Sequence, residues 1–314
     1  MPTDGRRPPA AWRAGARAAA AALLCLAAGL AGARAGELDD GSTDAHPAGT
    51  PLPDGVRLLR DLAYGPDPRQ RYDVYLPAAD AQPAAPAAAP VLFMVHGGAW
   101  RLGDKAMANV VARKLAHWLP QGWVLVSVNY RMLPDTPVAQ QADDIAHALA
   151  DAQSHAAEWG ADRRQFVLMG HSAGAHLVAW LAADPPTPWR AATTPWRGAV
   201  LLDSAVYDVA ELMAWPHFGL YDDAFGKEPS RWAGVSPIAQ LSHAVPPMLA
   251  VCSTRRRMSC RQAEAFVDRA IERAGRATVL RIDRSHGEIN ADLGDASDYT
   301  AQVDRFMASV RLAR

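Results

Sequence analysis

The sequence predicts a single α/β domain built around a mostly parallel sheet. Three observations carry this. Strand-like and helix-like segments alternate from residue 91 onward, the pattern of a parallel sheet with helical crossovers. Several of the strand-like runs, Val91–Val95 and Gly198–Leu202 among them, are apolar throughout, as in strands buried on both faces. One of them passes abruptly into a helix through Gly170-His171-Ser172-Ala173-Gly174. The length of 314 residues permits one large domain or two small ones, and 50% hydrophobic with 21% charged residues suits a globular chain. No internal repeat is present.

Residues 1–35 stand apart from that domain. Arg6, Arg7, Arg13 and Arg17 form a basic region, Ala18 to Gly32 an apolar one, and Ala33-Arg34-Ala35 a small-residue cleavage site before Gly36. This is the layout of a secretory signal peptide, so the mature protein is expected to be exported, periplasmic or secreted. The apolar run is shorter than the ~18–20 residues that span a bilayer, which argues against a membrane anchor. Cys25 follows Leu23-Leu24 without a small neighbour, which argues against a lipid-anchored cysteine. Arg6-Arg7 is followed by two prolines and carries little weight as a twin-arginine signal. Residues 36–55, rich in Gly, Pro, Asp and Thr, read as a flexible lead into a domain spanning 56–314. Ala78 to Pro90 reads as a solvated Ala/Pro loop between an opening hairpin and the core.

The core elements follow in order. Val91–Val95 and Trp123–Val128 read as buried strands. Ile145, Leu149, Ala152 and Ala156 recur at helical spacing and bury one face of a helix. Gln165–Met169 is a strand, and Ala175–Ala183 has helical composition. Gly198–Leu202, Pro247–Cys252 and Ala277–Ile282 are three more strands. Phe266, Ala270 and Ile271 mark the buried face of the next helix, and Val303, Phe306, Met307 and Val310 that of the last.

Two stretches carry chemistry. A strand that turns into a helix must fold back within about three residues, where side chains collide, so Gly170 and Gly174 flank the turn. Ser172 at its apex is pushed out of the sheet, at a helix N-terminus whose free N–H groups favour negative charge. Those are the needs of a serine nucleophile. The bland alternative is a glycine-rich turn with an incidental serine. Upstream, Val91–Val95 runs into His96-Gly97-Gly98-Ala99-Trp100. The pair Gly97 and Gly98 at a strand end lets backbone N–H groups face a ligand, and with the N–H of Ala173 can form an oxyanion hole.

With these motifs the chain resembles the α/β-hydrolase superfamily, and within it the esterase/lipase group that carries an HGGxW oxyanion motif. The matching stretches are His96–Trp100 with Gly103-Asp104-Lys105, Asn129 to Pro134, Asp143-Asp144, Gly170–Gly174 and Ser285-His286-Gly287, across roughly residues 56–312. The resemblance implies an eight-stranded, mostly parallel sheet with helices on both faces. It also implies a Ser–acid–His triad and hydrolysis of a small-molecule ester without cofactor or metal.

The general base is expected downstream of the nucleophile. The candidates are His176, His217, His243 and His286. His176 lies on the helix after Ser172, facing the sheet or a helical neighbour. His217 and His243 sit in irregular Pro-containing stretches. His286 follows a strand and occupies a loop, so it is the leading candidate. The acid departs from the family pattern. In many relatives it lies on the loop after the strand Pro247–Cys252, but here that loop reads Ser253-Thr254-Arg255-Arg256-Arg257-Met258-Ser259-Cys260 and holds no carboxylate. An acid is still needed to fix the histidine tautomer and stabilise the imidazolium. Asp203, at the end of the preceding strand, is the first choice and Asp208 the second. Asp283 is local to His286 and solvated, and a more distant acid, or none, stays open. The alternative for Asp203 is a cap on backbone N–H groups beyond the strand.

Export changes the cysteine reading. With Cys25 removed, Cys252 and Cys260 remain, an even pair in an oxidising compartment, which suggests a disulfide. Loss of residues 1–35 removes five arginines and Asp4, a net +4, so the mature chain falls from −1 to −5. An acidic chain has no general attraction for nucleic acid or an anionic membrane. Two function classes remain: a hydrolase of carboxylic esters using Ser172 and His286, with a formamidase or peptidase as alternative chemistry, and a non-catalytic binding member of the fold. No propeller-like N-terminal domain is visible, which argues against a prolyl-oligopeptidase type of enzyme. The aromatic-rich segment Trp215–Trp232 either caps the pocket or packs in the ordinary way. The sequence assigns no oligomeric state and no acyl or alcohol specificity.

Overall fold

The computed structural model describes residues 52–78, 88–184, 187–190, 192–204 and 206–311. The expected signal peptide with its cleavage site, most of the lead and most of the Ala/Pro loop lie outside the described residues.

Eight strands form one sheet in the order β1-β2-β4-β3-β5-β6-β7-β8. They are β1 (Arg57–Ala63), β2 (Arg71–Leu76), β3 (Ala89–Val95), β4 (Val124–Val128), β5 (Ala161–His171), β6 (Gly198–Leu202), β7 (Met248–Ser253) and β8 (Ala277–Ile282). β2 runs antiparallel to both β1 and β4, and every pairing from β4 to β8 is parallel. This is the α/β-hydrolase fold. β3, β4 and β6 are buried along their whole length, which is why they read as unbroken apolar runs.

Six helices carry the site or hold it in place. They are α1 (Ala108–Trp118), α2 (Val138–His155), α3 (Ala173–Ala183), α4 (Val209–Met213), α5 (Gly219–Phe225) and α6 (Ser259–Glu272). Two more close the domain, α7 (His286–Ala291) and α8 (Asp298–Val310). One apolar cluster includes α2, α3 and α6, and a second, on residues from alternate sheet positions, includes α1 and α8. Helices therefore cover both faces. α3 is buried on nearly every side, as befits the helix against the sheet centre.

Two expectations need correcting. Phe266 and Ala270 are fully buried on α6, but Ile271 is 52% exposed, because it lies one residue further round the helix than the buried stripe. His286 is not in a loop. It opens α7, whose start is fixed by a capping box in which Ser285 accepts from the Glu288 N–H and Glu288 accepts from the Ser285 N–H. The signal was present as Ser285-x-x-Glu288.

Candidate active site

The site lies where β3, β5, β6 and β7 end, the edge at which parallel strands deliver their following loops. Ser172 caps α3 with φ 53° and ψ −117°, a conformation that side chains rarely adopt. Close packing imposes it. A Cβ on Gly170 would lie 2.3 Å from Gly174 O, and one on Gly174 would lie 2.3 Å from Val95 O. Only glycines let the strand fold back on its helix and let that helix press on the end of β3. The Ser172 N–H donates to Leu202 O at 2.9 Å, tying the turn to the residue before Asp203.

The loop after β3 packs against this serine. A Cβ on Gly97 would come within 3.0 Å of Ser172 Cβ and 2.9 Å of His171 O. His96, buried and stacked on Tyr130, bonds through Nδ1 to Gly97 O at 2.7 Å. Burial pushes the His96 ring down to about 4, so it is neutral and its Nδ1–H donates. In a trans peptide the N–H lies opposite the C=O, so the Gly98 N–H points away from that ring. Gly98 (φ 113°), Ala99 (φ 51°) and Trp100 (φ 58°) all have positive φ. Ala173, the first residue of α3, has no earlier turn to receive its N–H.

The structure brings Asp203 and His286 together. His286 Nδ1 lies 2.6 Å from Asp203 Oδ2, both buried and 83 residues apart in sequence. Asp203, with φ 53°, also accepts from the Ser253 N–H at 2.7 Å, from Ser259 Oγ and from Arg256 Nη1 at 2.6 Å. Burial alone would raise its pKa. The hydrogen bond to His286 and the Arg256 charge outweigh that and hold the carboxyl well below its ordinary range. The carboxylate is therefore both cap and histidine partner. Arg256 Nη1 is 2.8 Å from His286 Nδ1. With the Nδ1 proton donated to Oδ2, these are two donors sharing one acceptor oxygen, not a bond to each other. The His286 ring lies 4.4 Å from the His171 ring, and His171 Nε2 lies 3.0 Å from His286 O. Burial, with His286 beside it, holds His171 well below the ordinary histidine value. His286 is thereby seated against the residue that precedes Ser172.

The other candidates go elsewhere. Asp208 caps α4, accepting from the Glu211 N–H at 3.0 Å. Asp283 is exposed and pairs with Arg255 at 2.8 Å. His176 is buried; its Nδ1 accepts from Trp100 Nε1 at 3.3 Å and its Nε2 donates to Val235 O at 2.9 Å. His217 bonds Trp215 O and Asp222, and His243 bonds Ser242. The aromatic segment divides. Phe225 and Tyr221 pack on Trp100 at 4.9 and 6.2 Å between ring centroids, whereas Trp215 is 38% exposed beneath Arg257. Arg101 binds Asp223 at 2.9 Å, a second tie between α5 and the glycine loop.

The sequence reading missed Arg256 and Ser259 as partners of Asp203. Their signal was the absence of a carboxylate from their loop, which left the arginines without a role. That loop is closed by Cys252 and Cys260, whose sulfurs are bonded at 2.07 Å. Among the described residues no group of three or more His, Cys, Asp or Glu is arranged to hold a metal, and no helix is long and apolar enough to cross a membrane.

The fold and this strand-edge constellation define an α/β-hydrolase domain. The model of the prolyl oligopeptidase family matches residues 139–310, and the chain belongs to that family. The expectation against a prolyl-oligopeptidase type is thereby corrected: a propeller bears on multidomain architecture and not on membership through the hydrolase domain. A second family model, BD-FAE, matches residues 72–186. Esterase LipC of Mycobacterium tuberculosis is 29% identical over 67% of this chain and 54% of its own length. A probable isoprenylcysteine alpha-carbonyl methylesterase of Oryza sativa is 33% identical over 39% of this chain and 28% of its own. The chain thus spans about half or less of the length of these relatives. The crystal structure of esterase B from Lactobacillus rhamnosis superposes with a TM-score of 0.68 at 20% identity, covering 92% of this chain and 95% of that one.

Proposed function

We propose that this chain is a serine esterase that hydrolyses carboxylic esters through an acyl-enzyme on Ser172. His286 Nε2 takes the hydroxyl proton as Ser172 Oγ attacks the ester carbonyl. Backbone N–H groups of Gly97, Gly98 and Ala173 meet the oxyanion. Collapse breaks the C–O bond, and His286 returns its proton to the leaving alcohol. Water, deprotonated by His286, then releases the acid and frees Ser172. Asp203 keeps the Nδ1 proton in place so that Nε2 stays a base. The observation that carries this reading is the 2.6 Å pairing of Asp203 with His286, set beside a serine held at positive φ on a helix N-terminus. The esterase names of the relatives favour esters over amides. Family membership favours the peptidase alternative, so both substrate types belong in the assay.

A fluorophosphonate probe should label the protein once, on Ser172, and not label Ser172→Ala. An unlabelled wild type with no ester turnover would leave a binding member of the fold. Faster cleavage of a prolyl anilide than of any p-nitrophenyl ester, across a series of acyl lengths, would move the assignment to peptidase. We further propose export, with the mature chain starting at Gly36 and carrying the Cys252–Cys260 bond. Intact mass before and after reduction and alkylation tests both points, and two thiols alkylated without reductant would rule out the bond.

A further inference from the structure

The loop after β7 holds no carboxylate, yet Ser253, Arg255, Arg256 and Ser259 all grip the site. At one end it holds the acid: the Ser253 N–H and Ser259 Oγ reach Asp203 Oδ1, and Arg256 Nη1 reaches Asp203 Oδ2 at 2.6 Å and Asp203 O at 3.1 Å. At the other end it holds the segment that bears the base. Ser253 Oγ donates to Arg284 O at 2.6 Å, and Arg255 bonds Asp283 Oδ1 at 2.8 Å, Asp283 O at 2.9 Å and Glu288 at 3.1 Å. The Cys252–Cys260 bond closes the loop just outside its first and last gripping residues, Ser253 and Ser259.

We propose that this disulfide-closed loop is a clamp that sets Asp203 and His286 against each other, with Arg256 as the positioning residue at the acid. The proposal deepens the esterase reading and rests on it. The chemistry follows from the geometry. An acid taken from the end of β6 arrives on a residue with φ 53°, a strained backbone that other contacts must hold. Two neutral donors and one guanidinium orient the carboxylate so that one lobe of Oδ2 is left for His286. The guanidinium does a second thing. It shares Oδ2 with His286, so the imidazolium that forms during reaction faces a carboxylate already paired with a cation. Arg256 therefore lowers the pH at which His286 takes a proton.

The charged and titratable groups around His286 come from several elements. Asp203 follows β6, and Arg256 lies on the β7 loop. His171, held neutral by burial, ends β5. Lys114 of α1 donates to Asn290 on α7. Asp283, Arg284 and Glu288 lie on the segment of His286 itself, the first and last of them paired with Arg255. Of these cations, Arg256 reaches both partners of the pair, Asp203 Oδ2 at 2.6 Å and His286 Nδ1 at 2.8 Å.

The test compares Arg256→Gln, Arg256→Lys and the Cys252→Ala/Cys260→Ala pair. For Arg256→Gln the acid limb of the kcat/KM–pH profile should move up by about one pH unit. Its kcat should fall about tenfold to a hundredfold with KM little changed. Arg256→Lys should bring the limb back toward wild type, which a purely structural arginine would not require. The cysteine variant should lower kcat and move the limb in the same direction by less; if it fails to fold, the two arginine variants still decide. A limb that stays at its wild-type pH in Arg256→Gln overturns the clamp and leaves the esterase reading intact. Imidazole nitrogen NMR of His286, titrated in wild type and Arg256→Gln, separates the two ideas. A shifted midpoint in a protein that turns over no ester would sink the esterase reading and keep the clamp.

Discussion

The Ser172 corner and the Asp203–His286 corner of this site are built in different ways. At the first, Gly170, Ser172 and Gly174 sit within five residues, and the strain at Ser172 is fixed by backbone atoms of its own turn and of β3. At the acid, Asp203 meets a histidine 83 residues away and a loop 50 to 56 residues away, and every contact that orients it is long-range. The first corner is a steric device, in which a Cβ at the wrong place cannot be accommodated. The second is an electrostatic one, in which burial opposes the charge and hydrogen bonds with His286, Ser253, Ser259 and Arg256 offset it. Steric devices leave glycines in the sequence. Electrostatic ones leave residues whose partners are visible only after folding.

Substitutions can break either corner, and the largest effect is expected at the first. Ser172→Ala removes one hydroxyl from a turn whose shape is set by its neighbours. Ester turnover should fall by about 10⁴-fold or more with the melting temperature nearly unchanged. Residual kcat above about a hundredth of wild type would remove Ser172 from the nucleophile role.

Asp203→Asn strikes the second corner. It should keep the fold and lower kcat by up to about 10⁴-fold, because an amide no longer demands the Nδ1 proton. Arg256 Nη1, 2.8 Å away, should then donate to a bare Nδ1, leaving the proton on Nε2 where it blocks catalysis. Asp208→Asn, at the α4 cap, is the control and should leave kcat within about twofold while costing well under 1 kcal/mol, since Asn caps as well as Asp. A nearly silent Asp203→Asn beside a crippled Asp208→Asn would transfer the acid five residues along.

Gly97→Ala asks whether the glycine loop is as rigid as its packing implies. The new methyl would sit 3.0 Å from Ser172 Cβ and 2.9 Å from His171 O, so the loop or the serine must shift. A loss of kcat of about 10²-fold with modest change in KM is expected from displaced oxyanion donors. Wild-type kcat would show that the loop yields without moving those donors.

The smallest effect concerns stability. Lys114 is buried on α1, with Nζ bonded to Asn290 O at 2.7 Å, behind the helix that carries His286. Burial, aided by Arg113, pushes it down to about 7. The folded state thus gives up this proton near pH 7 while the unfolded chain keeps it to about pH 10.4. Between those values the unfolded state binds more protons, so this group makes stability rise with pH across that window and penalises folding most below it. Lys114→Met should flatten the dependence of melting temperature on pH between about 7 and 10, by several degrees over the range. An identical slope in the variant would remove Lys114 as its source.

Much of the domain was legible because its signals are local. β6 and β8 occupy the residues their apolar runs mark out, and the flanking glycines of the turn at Ser172 meet backbone atoms as the tight strand-to-helix turn requires. The hydrophobic pattern also places the buried stripes of α2, α6 and α8, except at Ile271, where a single step round the helix reaches solvent. His286 was marked by following a strand, but its place at the head of a helix depended on reading Ser285 and Glu288 as a reciprocal cap. What the sequence determined by itself, then, is where the chain must turn, which runs must be buried and which serine is thrust out. What only the tertiary structure decided is which carboxylate meets which ring. Asp203, Asp208 and Asp283 are alike as residues. The parallel pairing of β6 with β7 and of β7 with β8 brings the first to His286, beside a loop of arginines, and leaves the second on a helix cap and the third in solvent. Charge acts through space over a few ångströms, and sequence distance carries no record of it.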